Sequence, residues 1–118
     1  MGRDKAGPVD AGPTPPVDEE GFLLDSGDWT PRLAGRIADA EGIPMTQQHW
    51  FVVRFVRDYF EANQKVPEAR VLLKALAAEF GAESGTRRAL YQLFPYGYGQ
   101  QACKIAGMRK PRKLMLDV

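Results

Sequence analysis

The chain has 118 residues, of which 44% are hydrophobic and 26% are charged, so it fits one compact folded domain rather than two domains or a disordered chain. Sixteen Lys and Arg residues nearly balance fifteen Asp and Glu residues, and the net charge therefore indicates no class of partner. No apolar run approaches the ~20 residues that cross a bilayer. The polar first residues are unlike a signal peptide, and we expect a cytoplasmic protein without a membrane segment.

The N-terminal part combines a proline-rich stretch with a short apolar segment. Residues 1–16 contain four prolines among Gly and Ala, which predicts a disordered segment. In residues 17–24 a turn-prone Glu20-Gly21 pair separates apolar residues, a pattern typical of a small β-hairpin. The preceding prolines weaken the first strand, because proline cannot donate a hydrogen bond to a ladder.

Capping and stop signals predict about five helices in the remaining chain. Thr30-Pro31 begins the first helix, and Thr46 begins the second. The third, fourth and fifth helices are expected from Val66-Pro67 to Gly81, over about residues 86–93, and over residues 100–106. The second helix is apolar over most of its circumference, with a narrow polar stripe formed by Arg54, Arg57, Asp58 and Glu61. Such a helix is typical of the centre of a helical array.

These elements predict a mostly α (α+β) fold, an array of about five helices with a possible small N-terminal β-hairpin and a flexible C-terminal arm. The expected divisions are a disordered segment at 1–16, a helical domain at 17–107 and the arm at 108–118.

Cys103 is the only cysteine and His49 the only histidine, so neither an internal disulfide nor a structural zinc site can form from these residue types. His49 falls in the first turn of the second helix, where a surface or capping role is expected. Gly97 and Gly99 match the start of a dinucleotide fingerprint, but Ala102 stands at its third glycine and no strand precedes it. We therefore expect no metal and no cofactor.

Two interpretations of Cys103 follow from its neighbours. A thiol near a helix N-terminus and beside a cation such as Lys104 has a lowered pKa and reacts more readily as a nucleophile. Alternatively, the residue is a small apolar side chain of the core, which is common for cysteine.

A cluster of cations lies near the C-terminus and is the candidate partner-binding surface. It could bind an acidic protein surface or the phosphates of nucleic acid, whereas a solvated chain end is the common alternative. The third and fourth helices also admit a helix-turn-helix interpretation. The cations are Lys104, Arg109, Lys110, Arg112 and Lys113.

The most specific motif surrounds the cysteine, where Gln101–Gly107 (QACKIAG) is followed by Lys110-Pro111. On this motif and on further stretches in the same order, the chain resembles the DsrC/TusE/DsvC sulfur-relay family, which includes the gamma subunit of dissimilatory sulfite reductase. The further stretches are Asp18–Leu23, Asp28-Trp29, Thr46–Trp50, Arg57–Phe60, Pro67–Arg70 with Leu73-Lys74, and Leu93–Gly97.

The resemblance implies a small β element packed on helices, a helix-turn-helix-like pair and a flexible C-terminal arm. It also implies partners among sulfur-transfer or sulfite-reductase-like proteins. Family members that carry sulfur hold it on a cysteine one residue from the C-terminus, and in the dissimilatory branch a second, upstream cysteine can pair with that one. Cys103 matches the upstream cysteine.

The terminal cysteine of the family has no counterpart in this sequence. Asp117 is the penultimate residue, and the family spacing from Lys110-Pro111 places the cysteine near Leu114. Cys103 is thus the candidate catalytic residue and the only possible sulfur acceptor, in a carrier protein rather than an enzyme with a self-contained active site. The alternatives are a non-catalytic regulatory paralogue that binds protein or DNA, and a plain helical interaction domain.

Overall fold

Four α-helices account for nearly half of residues 14–111, the part of the chain that the computed structural model describes. They are α1 (Pro31–Ala40), α2 (Gln47–Asn63), α3 (Ala69–Phe80) and α4 (Arg87–Leu93). Short 3₁₀ turns occupy Ser26–Asp28 and Ala82–Gly85. After α4, a π-helical turn at Tyr98–Ala102 continues into a single α-helical turn at Cys103–Ile105. We call residues 98–105 the cysteine turn.

Three of the four helices begin directly after a capping threonine, whereas α3 begins at Ala69, after the predicted Val66-Pro67 start, and has no side-chain cap. The Thr30 hydroxyl accepts a hydrogen bond from the backbone N–H of Leu33, and the Thr86 hydroxyl accepts one from Ala89, each at 3.1 Å. Thr46 and His49 form a reciprocal capping box at the start of α2. Each cap satisfies a backbone N–H that the first turn of a helix leaves without an intrahelical partner.

The α2 helix lies at the centre of the core, as its apolar circumference predicts. Val52, Val53 and Val56 are fully buried, and aromatic side chains on either side of them pack against the core. Although α2 is the longest helix, no helix in residues 14–111 is long and apolar enough to cross a membrane. The length of α2 instead lets it contact α3 and the cysteine turn together.

The predicted β-hairpin is not formed, and residues 14–111 contain no β-strand. A single antiparallel bridge joins Val17 to Leu23. The Asp18 carboxylate shapes the turn by accepting hydrogen bonds from the backbone N–H groups of Glu20 and Phe22. The pairing ends where the Leu24 N–H donates to the carbonyl of Pro16, because Pro16 has no N–H to donate in return.

The prediction of about five helices is correct for four, and the fifth differs in form. Residues 100–106 were expected as one short α-helix, but the helical backbone begins at Tyr98 and its first turn is π-helical. Gly107 ends the segment with a φ of 77°, a left-handed conformation that favours glycine. The packed part of the chain extends past it, since Met108 is buried. Residues 1–13 and 112–118, which include most of the predicted disordered segment and of the predicted arm, lie outside the described residues.

The connection between α3 and α4 depends on the absence of a side chain at Gly85. A Cβ atom built at this position would lie 2.5 Å from the Ala77 Cβ and 2.5 Å from the Leu73 carbonyl oxygen. The backbone oxygen belongs to α3 and cannot move aside cheaply. Gly85 therefore allows the 3₁₀ turn to pack directly on α3.

We expect Gly85→Ala to lower the free energy of unfolding by about 1–3 kcal/mol, because overpacking forces the 3₁₀ turn away from α3. Gly35→Ala is the matched control, since a Cβ at Gly35 would meet nothing within 4 Å. That control should gain about 0.5–1 kcal/mol from its position inside α1. Urea unfolding of both variants measures the difference, and equal stability of the two would show that the contact at Gly85 is not restrictive.

Candidate functional site around Cys103

Cys103 lies inside the protein, with none of its surface exposed to solvent. Burial raises the pKa of its thiol to about 12, and a hydrogen bond with Tyr98 offsets only part of that rise. The interpretation of Cys103 as a thiol with a lowered pKa is therefore wrong for this conformation. Its physical reason is that the thiol points into the core, where desolvation of the thiolate outweighs any effect of the neighbouring cation.

Tyr98 covers the thiol from the start of the cysteine turn. Its hydroxyl donates a short hydrogen bond to the carbonyl oxygen of Pro67, which lies just before α3. Burial, followed by the proximity of Cys103, raises the pKa of this hydroxyl well above its usual value, so it remains protonated. Tyr98 thereby joins the cysteine turn to the start of α3 and closes one side of the site.

A buried polar cluster holds the opposite side of the cysteine turn against the end of α1. Gln101 is 1% exposed, and its amide oxygen accepts a hydrogen bond from the backbone N–H of Tyr96 at 2.8 Å. Its amide nitrogen donates to the Glu41 carboxylate at 3.2 Å. The Lys104 ammonium donates to the other oxygen of that carboxylate at 2.9 Å and also lies near the Phe22 ring.

Glu41 is thus the common acceptor of this cluster. Partial burial alone would raise the pKa of the carboxyl, but hydrogen bonds from Lys104 and Gln101 bring it below the usual value. A carboxylate that accepts a charged and a neutral donor is stabilised in its ionised form.

Trp29 and Arg57 fix the backbone at the end of the cysteine turn. The Trp29 indole N–H donates to the carbonyl of Ile105 at 2.8 Å, and the Arg57 guanidinium donates to the carbonyl of Ala106 at 2.9 Å. The guanidinium stacks 4.2 Å above the Trp29 ring. A Cβ at Gly107 would lie 2.5 Å from that ring, so glycine is needed for the close approach.

The three predicted partner-binding cations in the described part of the chain all lie close to residues 18–22. Lys104 is held by Glu41 with only 17% of its side chain exposed, and Lys110 pairs with Glu20 at 3.0 Å on the surface. Arg109 is exposed and close enough to Asp18 to lower its pKa, after the larger effect of a backbone hydrogen bond from Phe22. Arg112 and Lys113 lie outside the described residues.

His49 takes the capping role that was one of its two predicted roles, but it is buried rather than on the surface. Its Nδ1 accepts the backbone N–H of Thr46 at 3.0 Å, which leaves Nε2 to donate to the carbonyl of Leu93 at 2.8 Å. This arrangement ties α2 to the end of α4. In residues 14–111, no group of three or more His, Cys, Asp or Glu side chains could hold a metal ion.

The sequence pattern did not indicate the residues that enclose Cys103. Arg57 belongs to the predicted polar stripe of α2, Trp29 only to the Asp28-Trp29 pair of the family resemblance, and Tyr98 only to the interval between the two glycines of the rejected dinucleotide fingerprint. Glu41 had no predicted role, because it lies 63 positions away in sequence from Lys104, the lysine that it binds. One signal was available, since Gln101 and Lys104 stand among the small and apolar residues of 101–107, and polar side chains in a buried turn need partners.

We expect Glu41→Gln to destabilise the protein by about 1–3 kcal/mol near neutral pH, since it removes the carboxylate that holds Lys104 and Gln101. The folded-state pKa of Glu41 is below 4.5, so its contribution is present above that pH and is lost as the pH falls through the folded value. The gap between wild type and variant should therefore narrow on acidification.

Urea unfolding at a series of pH values measures this gap. Glu68→Gln is the control, because the Glu68–Arg70 pair is exposed and should contribute less than about 1 kcal/mol. A gap that keeps its full size well below pH 4.5 would contradict the assigned role of Glu41.

Comparisons with known proteins show which family the chain belongs to. Residues 11–115 match the family model described as "DsrC like protein". Curated relatives include the sulfurtransferase TusE of Pectobacterium atrosepticum, 47% identical over 86% of this chain and 94% of that protein. Sulfurtransferase TusE of Escherichia coli K12 is 50% identical over 82% of this chain and 89% of that protein.

Solved structures agree in fold and in sequence. The oxidized gamma subunit of dissimilatory sulfite reductase (DsrC) from Archaeoglobus fulgidus superposes with a TM-score of 0.77 and 34% identity, over 82% of this chain and 89% of that one. DsrC of Allochromatium vinosum superposes with a TM-score of 0.73 and 44% identity, over 81% and 86%. The chain therefore belongs to the DsrC-like family and is homologous to the sulfurtransferase TusE.

Proposed function

We propose that this protein acts in the cytoplasm as a partner-binding member of the sulfur-relay family. It does not take up sulfur as long as the Cys103 thiol is buried in the fold. One observation carries the proposal: the thiol of Cys103, the only cysteine among the 118 residues, is fully buried, with Tyr98 beside it. A relay that binds partners without accepting their sulfur would compete with or regulate a true carrier.

The chemistry of sulfur transfer explains why burial matters. An acceptor thiolate attacks the outer sulfur of a persulfide, forms a new S–S bond and releases the donor as a thiolate. The acceptor must be deprotonated and must approach the donor in line with the bond that breaks. Cys103 meets neither requirement, and its reaction would require the cysteine turn to lose the contact of Tyr98 with Pro67 and the contact of Arg57 with Ala106.

The partners that the proposal assigns are proteins of the sulfur relay or sulfite-reductase-like proteins. The support comes from relatives named sulfurtransferase TusE and gamma subunit of dissimilatory sulfite reductase. The exposed cations Arg109 and Lys110, with Arg112 and Lys113 beyond them, are assigned to contacts with such partners. Lys104 is already engaged by Glu41 and serves the closed state of the site.

Nucleic acid is less well supported as a partner. A phosphate-binding surface needs several cations that are free to displace counterions. Among the predicted cations in the described part of the chain, Lys104 and Lys110 are each paired with a carboxylate, and Arg109 lies near Asp18. We therefore place protein partners first.

We expect iodoacetamide to modify native Cys103 at least ~10³-fold more slowly than a free cysteine near neutral pH, because the thiolate fraction is that much smaller. Full reactivity should return in urea. Incubation with cysteine persulfide, followed by intact mass spectrometry, should add no sulfur to the native protein.

Leu114→Cys supplies the matched positive control, because position 114 is where the family spacing places the sulfur-bearing cysteine. This variant should gain one sulfur atom, and it should still do so when combined with Cys103→Ala. Sulfur on Cys103 of the folded wild type, gained as fast as on the thiol of Leu114→Cys, would refute the proposal and establish Cys103 as an acceptor.

A further inference from the structure

A groove opens on the surface between α4, the start of α3 and the cysteine turn. Its lining includes the apolar residues Ala69 and Leu90 together with Gly97–Gly99. Its volume is about 120 Å³, which is below the ~300 Å³ at which pockets for cofactors and drug-sized ligands begin. The groove therefore fits one or two side chains of a protein segment rather than a small organic cofactor.

The sides of this groove carry the most exposed aromatic side chains of residues 14–111. Tyr91 is 56% exposed and Tyr96 is 76% exposed, and both line the groove. The other large apolar side chains that are exposed in this range, Val17 and Leu24, lie elsewhere. Tyrosine is enriched at protein interfaces because it provides a large contact area together with a hydroxyl.

The single charged side chain of the groove is Arg87, and no carboxylate lines it. Arg87 is exposed and has no ion-pair or hydrogen-bond partner within residues 14–111. Elsewhere in the same range, Arg57, Lys104 and Lys110 all donate to an oxygen of the protein. The groove is thus lined by an exposed planar guanidinium and by two exposed aromatic side chains.

We propose that the groove binds a partner-protein segment in which an acidic residue is flanked by apolar side chains. The carboxylate pairs with Arg87, which presents donors in the planar fork that suits a carboxylate, and the apolar side chains pack between Tyr91 and Tyr96. This inference rests on the proposed function, because it supplies a contact surface for the partners assigned there.

The test follows the full-length protein by ¹H–¹⁵N NMR during titration with the peptide acetyl-Phe-Glu-Leu-amide and with its neutral counterpart acetyl-Phe-Gln-Leu-amide. We expect the acidic peptide to shift the amide signals of Gly97 and Gly99, with a Kd in the millimolar range or tighter. The neutral peptide should bind about 3- to 10-fold more weakly, as should the acidic peptide to Arg87→Gln.

Two matched variants serve as controls. Arg88→Gln removes the adjacent exposed charge outside the groove lining, and Leu24→Ala removes an exposed apolar side chain far from it. Both should bind the acidic peptide as the wild type does, whereas Tyr96→Ala should bind it more weakly. All substituted side chains are exposed, so the variants should keep the wild-type fold and spectrum.

Three results would each overturn the proposal. The two peptides could bind with equal affinity, or Arg87→Gln and Arg88→Gln could lose equal affinity for the acidic peptide. The third is that the Gly97 and Gly99 signals stay unshifted at millimolar peptide. Concentration-dependent shifts of the same signals without peptide would instead assign the groove to a second copy of the chain, which also overturns it. None of these results depends on sulfur uptake at Cys103, so the groove and the proposed function can fail separately.

Discussion

The Arg57 guanidinium connects three parts of the fold that are distant in sequence. It extends from the central helix α2, donates to the carbonyls of Ala106 and Ser26, and stacks on Trp29. Burial lowers the pKa of this group, but an arginine pKa is so high that the guanidinium stays charged. Its hydrogen bonds are strengthened by that charge. The backbone that follows Cys103 is thereby held against the core. This contact is one of those that hold the turn in the position in which the Cys103 thiol is buried.

The helical array could be predicted because its signals are local. Thr30, Thr46 and Thr86 each cap a helix within a few residues of their own position, and the apolar circumference of α2 places that helix in the centre. The β-hairpin prediction was wrong for an equally local reason, which is the position of the prolines before the turn. Pro16 has no N–H group, so it cannot complete a second pair of ladder hydrogen bonds with Leu24. Within the turn, the Asp18 carboxylate accepts the hydrogen bond of the Phe22 N–H.

The site could not be predicted in the same way because it is built from contacts between distant positions. Glu41 meets Lys104 and Gln101 across more than half of the chain, and Trp29 meets Ile105. The sequence shows Lys104 beside Cys103, which suggested activation of the thiol. In three dimensions the ammonium points to Glu41, and the thiol points into the core. Adjacent residues in a helical turn point to different sides of the turn. The Lys104 ammonium therefore does not contact the Cys103 thiol, although the two residues are adjacent in sequence.

The cysteine turn has two faces, and this relates partner binding to the thiol. Its backbone at Tyr98–Gln100 lines the groove with Arg87, while the Tyr98 side chain covers Cys103 on the inner face. A ligand shifts a conformational equilibrium only by its difference in affinity for the two states. Under the two proposals above, a segment bound in the groove would contact residues 97–100 in the position in which the Cys103 thiol is buried. Such docking would stabilise that state and would therefore oppose sulfur chemistry at Cys103.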